Sequence, residues 1–192
     1  MSSKVATRNR AKYGEIVSGD KVVVRQLEQK LLLAVIDGVG HGAEADKVSK
    51  ILARYLLQLE TLESPSAMID AMDKISHPCI GASVGLAIVD ENSHRVDFAG
   101  VGNIAAYVMG ANSESFASRD GTVGCHSRIP LAQSKNLSAG DLIVMHSDGI
   151  QSRLLRQFDS DYLKASVEQI LSYIFSNFEK NYDDASCIVY RF

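Results

Sequence analysis

Aspartates at the ends of apolar runs mark the places where this chain could do chemistry. Asp37 follows Leu31-Leu32-Leu33-Ala34-Val35-Ile36 and opens the loop Asp37-Gly38-Val39-Gly40-His41-Gly42. Asp148 follows Leu142-Ile143-Val144-Met145-His146 within Ser147-Asp148-Gly149. Asp20 closes Ser18-Gly19-Asp20 just ahead of Val22, and Asp183-Asp184 precede Ala185-Ser186-Cys187-Ile188-Val189. Taken singly, each reads well as a turn residue. Taken together, carboxylates placed alike at strand ends can converge, and uncompensated they would repel one another. A hard divalent cation removes that cost and accepts oxygen ligands. Two cations held this way form a device for phosphoryl hydrolysis.

The Asp37 loop holds two further candidates. The Gly38 carbonyl is another oxygen donor. His41 could protonate a leaving alkoxide, orient a water or bind substrate, or be a solvated residue at a helix start. His146 alternates with Asp148 across a strand end and reads as a packed residue. His77, His94 and His126 show no ligand spacing, and Ser118, Ser127 and Ser147 sit in no G-x-S-x-G motif.

Other chemistries find little support. Gly38, Gly40 and Gly42 do not spell G-x-G-x-x-G, and no Walker lysine follows. Cys79, Cys125 and Cys187 stand alone without a C-x-x-C pair, which argues against a disulfide frame or thiolate zinc site and fits a reducing cytoplasm. A formal net charge of −3 gives no nucleic-acid footprint. No apolar run reaches the ~20 residues that cross a bilayer, and Met1 to Lys12 is polar and basic, without a signal peptide's apolar stretch. The expectation is a single domain over residues 1–192, cytoplasmic and monomeric, with 46% hydrophobic residues to build a core.

The elements that must position the aspartates follow from pattern. Val22–Leu27 and Leu31–Ile36 read as strands joined by the turn Glu28-Gln29-Lys30. Ala43 to Leu59 carries Val48, Ile51, Leu52, Tyr55, Leu56 and Leu59 at helical spacing. Ser64-Pro65 starts a second helix reaching Ile75, with serine as N-cap and proline in the first turn. Strands are expected at Ala82–Val89, His94–Ala99, Ile104–Met109, Leu142–His146 and Ser186–Tyr190, with loop and room for one short strand over Gly110–Arg128. A third helix is expected from Asp161 to Phe178, its apolar face built of Leu163, Val167, Ile170, Leu171, Ile174 and Phe178. Short turns between most strands favour antiparallel pairing, and two sheets with helices outside is the simplest layering.

In this order, Gly19-Asp20, Asp37 to Gly42, Gly140-Asp141 to Gly149 and Asp183 to Ser186 resemble the motifs of the PPM-type metal-dependent protein phosphatases, in the bacterial branch of SpoIIE and RsbU. The short chain looks most like the RsbX type, a stand-alone phosphatase of the stressosome pathway. The resemblance implies an α+β fold, an αββα sandwich of two antiparallel sheets flanked by helices. It implies Mn²⁺ or Mg²⁺ in a binuclear site, with Asp37 bridging the metals, the Gly38 carbonyl on one of them, and Asp20, Asp148 and Asp183 or Asp184 completing the shells. Asp183 matches the family pattern better. Eukaryotic members carry histidine two residues after the bridging aspartate, where this chain has Val39, so His41 is the available substitute. The arginine that often holds phosphate has no counterpart by motif, and Arg25 and Arg128 are candidates. The implied activity is hydrolysis of phosphoserine or phosphothreonine on a protein. Stressosome components are the substrates the resemblance suggests, giving negative feedback on the general stress response. Alternatives are an anti-anti-sigma factor as substrate, a small-molecule phosphohydrolase, or a phosphoprotein-binding module without turnover.

Overall fold

Turn chemistry and apolar pattern place ten strands and four helices in the computed structural model, which describes residues 4–76, 81–111, 113–125 and 130–192. The strands are β1 (Val5–Arg10), β2 (Asp20–Leu27), β3 (Lys30–Gly38), β4 (Ala82–Asp90), β5 (Arg95–Val101), β6 (Ala105–Met109), β7 (Glu114–Ser115), β8 (Gln133–Asn136), β9 (Leu142–His146) and β10 (Ala185–Arg191). The helices are α1 (Gly42–Gln58), α2 (Pro65–Ser76), α3 (Leu154–Gln157) and α4 (Val167–Phe178). All named pairings are antiparallel. One sheet runs β2-β3-β4-β5-β8 and the other β1-β10-β9-β6-β7.

Three apolar layers hold the sheets and helices together, which is the layering the resemblance implied. Between the sheets, Leu33, Val35, Phe98, Ile104, Val108, Ile143, Met145 and Ile188 interdigitate. On the outer face of the first sheet, Leu32, Ile36, Val84 and Leu86 meet Leu52 and Leu56 of α1 and Met68, Ile69 and Met72 of α2. On the outer face of the second, Val144, Cys187 and Val189 meet Ile170, Ile174 and Phe178 of α4. Strands in both sheets are therefore covered on both faces. This is why β3 and β9 read as continuous apolar runs rather than as alternation.

The structure departs from the sequence reading in three places. The helix expected from Asp161 to Phe178 is broken: a 3₁₀ turn spans Ser160–Lys164, and α4 starts afresh after Ser166. Ser166 and Gln169 form a reciprocal capping box, the serine hydroxyl accepting from the Gln169 amide and the glutamine carbonyl accepting from the Ser166 amide. Leu163 still packs on the same core, so the apolar period ran on across the break. The polar N-terminal segment forms β1 and pairs with β10 from Val5 opposite Tyr190 to Arg10 opposite Ala185, held by backbone hydrogen bonds that leave little hydrophobic signature. The short elements β8 and α3 were likewise not foreseen.

Candidate metal centre

Each acidic residue is placed by a strand end. In the β2/β3 hairpin Asp20 stands directly opposite Asp37, so their side chains share a face. In the other sheet, Asp148 lies two residues after β9, and Asp183 and Asp184 lead into β10, the antiparallel neighbour of β9. The two pairs are joined across the sandwich. The Ser147 hydroxyl donates to Asp20 Oδ2 at 2.6 Å and accepts from the Ser186 amide at 3.0 Å. Asp37, Asp148 and Asp183 line one cleft of about 360 Å³, together with Val39, Gly40, His41, Ser83 and Asn103.

Close backbone approach makes the glycines beside the acids necessary. A Cβ on Gly38 would run into the Ala45 carbonyl of α1, and one on Gly149 would run into the Asp184 carbonyl. The Gly38 amide donates to the Gly19 carbonyl at 3.2 Å, tying the two acidic loops together.

Adjacent Asp183 and Asp184 have different surroundings. Asp184 is buried, and its two carboxylate oxygens accept from the Lys12 amide at 2.8 Å and the Gly19 amide at 2.9 Å. It therefore clamps the loop that carries Asp20. Asp183 faces the cleft. Asp148 is oriented by Asn103, whose side-chain amide donates to it at 2.8 Å. Sequence reasoning missed Asn103. The only local signal was its place in the bend Gly100-Val101-Gly102-Asn103, and nothing in sequence links it to Asp148, 45 positions away.

The electrostatics are those of crowded acids short of counter-charge. Burial, and then the charges of Asp20, Asp148, Asp183 and Asp184, push the Asp37 carboxyl up to about 9. Burial likewise raises Asp20 to about 6, against the Ser147 hydrogen bond. Asp148 is raised by burial and by Asp183, with the Lys180 charge opposing. Lys21 does not relieve the cluster, because its ammonium is shared between Asp46 at 2.8 Å and the Ser18 and Asp20 carbonyls. His146, fully buried behind Ser147, is pushed down to about 4 by desolvation, and its Nδ1 bonds the Ser147 carbonyl.

This donor set fits hard divalent cations. Asp20 Oδ1 is buried and accepts no hydrogen bond among the described residues. Asp37 is driven toward its neutral form by burial and then by its acidic neighbours, a cost that a cation would reverse. Every donor is an oxygen. Among the described residues, no three Asp, Glu, His or Cys side chains already stand in a single-ion cage; the carboxylates ring a cleft instead.

His41 stands on the cleft rim with its Nδ1 2.7 Å from Glu15 Oε1. The two arginines considered as phosphate holders do not join the site in the described structure. Arg25 donates to the Leu56 carbonyl at 2.8 Å in the last turn of α1, and Arg128 lies outside the described residues. His77, Cys79, His126 and Ser127 lie outside them as well.

The family model described as Stage II sporulation protein E matches residues 28–192. The chain belongs to the SpoIIE family. It is accordingly a phosphatase domain of the PP2C serine/threonine type. Among solved structures, a chain from work described as "The bacterial stressosome: a modular system that has been adapted to control secondary messenger signaling" is 27% identical, with a TM-score of 0.86 and 98% of each chain covered. RsbX in complex with magnesium is 19% identical, with a TM-score of 0.86, covering 97% of this chain and 94% of that one. The SpoIIE phosphatase domain with a fragment of its regulatory domain, from Bacillus subtilis, is 22% identical with a TM-score of 0.72, covering 98% of this chain and 64% of that one. No curated protein matches the chain in sequence. The likeness to RsbX and to the Bacillus subtilis domain supports the αββα sandwich as the shared fold.

Proposed function

We propose that this SpoIIE-family domain hydrolyses phosphoserine or phosphothreonine on a protein, using two Mg²⁺ or Mn²⁺ ions held at the acidic end of the sandwich. The observation that carries this reading is the arrival of Asp37, Asp148 and Asp183 from three separate strand ends around one cleft, with Asp20 buried directly opposite Asp37. Asp37 with the Gly38 carbonyl beside it, together with Asp20, Asp148 and Asp183, would hold the ions. Asp184 is left out of that set, because both its oxygens are engaged by backbone amides. When bound, the ions would supply Lewis-acid activation of the attacking water and neutralise charge on the phosphoryl oxygens.

The chain's own residues have definable tasks. Asp184 holds Gly19, and so Asp20, in register with Asp37. The Ser147 hydroxyl fixes Asp20 Oδ2 and leaves Oδ1 free to ligate. Asn103 turns one Asp148 oxygen and leaves the other to the cleft. His41 is the group on the rim able to pass a proton to a leaving serine alkoxide, with Glu15 fixing its ring.

The stressosome neighbour, matched over 98% of each chain, favours phosphorylated stressosome components as substrates; we propose further that the domain acts on them as a cytoplasmic monomer, giving negative feedback. The test is hydrolysis of a phosphoserine peptide and of phosphorylated stressosome proteins with Mn²⁺, with EDTA, and with Asp148→Asn. Metal-dependent turnover lost in the variant is expected. Equal turnover in EDTA, or in the variant at saturating Mn²⁺, would sink the assignment.

A further inference from the structure

A second, polar groove of about 600 Å³ flanks the cleft on its Asp148–Asp183 side, lined by Gln151, Arg153, Lys180, Asn181 and Tyr182 among others. Its two walls continue directly from the acidic residues: one is the chain after Asp148, the other the chain before Asp183. The walls are zipped together by two backbone hydrogen bonds that together make one antiparallel bridge. The Lys180 amide donates to the Gly149 carbonyl at 2.8 Å, the Gln151 amide donates to the Phe178 carbonyl at 2.8 Å, and Ile150 bridges Glu179. Arg10 underpins the second wall by donating to the Lys180 and Asp183 carbonyls at 2.8 and 2.9 Å. The groove therefore holds a fixed place beside the proposed metals.

Its charge is unbalanced. The carboxylate in its lining, Glu179, is paired with Arg10. Among the described residues neither Arg153 nor Lys180 has an ion-pair partner. Arg153 instead lies over the Phe178 ring, 5.8 Å from its centroid, and its guanidinium donates no hydrogen bond among the described residues. Tyr182 is largely exposed and adds an aromatic surface with a hydroxyl at the edge. Two cations with no carboxylate within ion-pair distance among the described residues, Lys180 acting on Asp148 only from further off, and amide side chains form a change of sign at the mouth of the site.

We infer that this groove is a substrate subsite that binds an acidic segment flanking the phosphorylated residue, with Arg153 and Lys180 as its specificity-determining cations. The inference rests on the phosphatase reading above and names the substrate class that reading leaves open: phosphoproteins whose phosphorylated serine or threonine lies next to Asp or Glu. A substrate rich in carboxylates would be repelled by the acidic end alone. The groove gives its flanking charges a complementary surface and sets the direction in which the chain crosses the cleft.

The test separates docking from turnover. A fluorescein-labelled serine peptide with Asp and Glu flanks is compared with the same peptide carrying Asn and Gln, by anisotropy, on the full chain. Neither peptide carries phosphate, so binding does not require the metal centre. The acidic peptide is expected to bind about 10-fold or more tightly, and the preference should weaken with salt. Arg153→Ala and Lys180→Gln should each remove most of that preference, while Arg153→Lys retains part of it. Lys180→Gln also covers the case in which Arg153→Ala loosens packing on Phe178. Equal binding of the two peptides, or a preference unchanged in both variants, overturns the inference. Hydrolysis of the corresponding phosphopeptides with Mn²⁺ is read in parallel. Acidic preference without any hydrolysis would remove the phosphatase reading and leave the subsite standing.

Discussion

Between the sheets, Leu33, Val35, Phe98, Ile143 and Ile188 pack without solvent and without polar partners to satisfy. A few residues further along the same strands, Asp37, Asp148 and the Asp183–Asp184 pair crowd together with raised carboxyl pKa values at Asp37 and Asp148 and an orphaned oxygen on Asp20. β3 contains both regimes, six buried apolar residues and then Asp37. Each fully buried aliphatic side chain contributes roughly 1.5–3 kcal/mol, so the centre can hold strands in register against repulsion at their ends. The lesson is a division of labour along a strand. The apolar length sets position, and the terminal residue accepts an unfavourable environment that only a ligand relieves.

Four experiments can break or sharpen that contrast. The largest effect is expected at the acidic end: Asp37→Asn and Asp148→Asn should each lower Mn²⁺-dependent phosphopeptide turnover by more than about 10²-fold. Asp37→Asn should also raise the melting temperature in EDTA at neutral pH, because the folded protein must hold Asp37 protonated while the unfolded chain ionises it, and asparagine removes that cost. A variant that lost activity and also melted lower without metal would show that Asp37 supports the fold instead. In the centre, Phe98→Ala should cost about 3–5 kcal/mol of stability by denaturant titration, and the fraction still folded should turn over normally.

The third experiment is a pH scan of melting temperature in EDTA. The folded Asp37 pKa of about 9 lies above the ordinary 3.8. Between those values the native state holds a proton that the unfolded chain has lost. The stabilising contribution is therefore complete below pH 3.8 and is lost as pH rises through 9. His146 gives the opposite slope: depressed from 6.5 to about 4, it destabilises the fold as pH falls through that window. Asp37→Asn should flatten the alkaline limb and His146→Gln the acidic one. A metal-free protein whose stability rose steadily from pH 5 to 9 would contradict the crowded-acid picture. The smallest effect is expected at Asn103→Ala, which frees one Asp148 oxygen and should weaken Mn²⁺ affinity about 10-fold. An unchanged Mn²⁺ dependence would show that Asp148 needs no orienting partner.

Some of this was legible before any coordinates. Apolar runs ending in Asp-Gly announce a strand and its stop within a few residues, so β3, β9 and the acids after them could be read directly. The α4 boundary could not, because the apolar period carried on through Leu163 while the break was made by the Ser166–Gln169 cap. β1 escaped notice because an edge strand is held by backbone hydrogen bonds that any sequence can make.

What the sequence by itself determined is which residues could carry charge, which stretches must be buried, and where the apolar strands turn. These are local matters of side-chain chemistry and backbone freedom. Tertiary structure alone decided which of two adjacent aspartates faces the cleft. Asp184 is claimed by the amides of Lys12 and Gly19, 172 and 165 residues away, and Asp183 is left open. It likewise brought Asn103 to Asp148, Ser147 to Asp20, and Arg153 beside Lys180. Such contacts depend on how the strands meet across the sandwich, and residue spacing along the chain carries no record of that meeting.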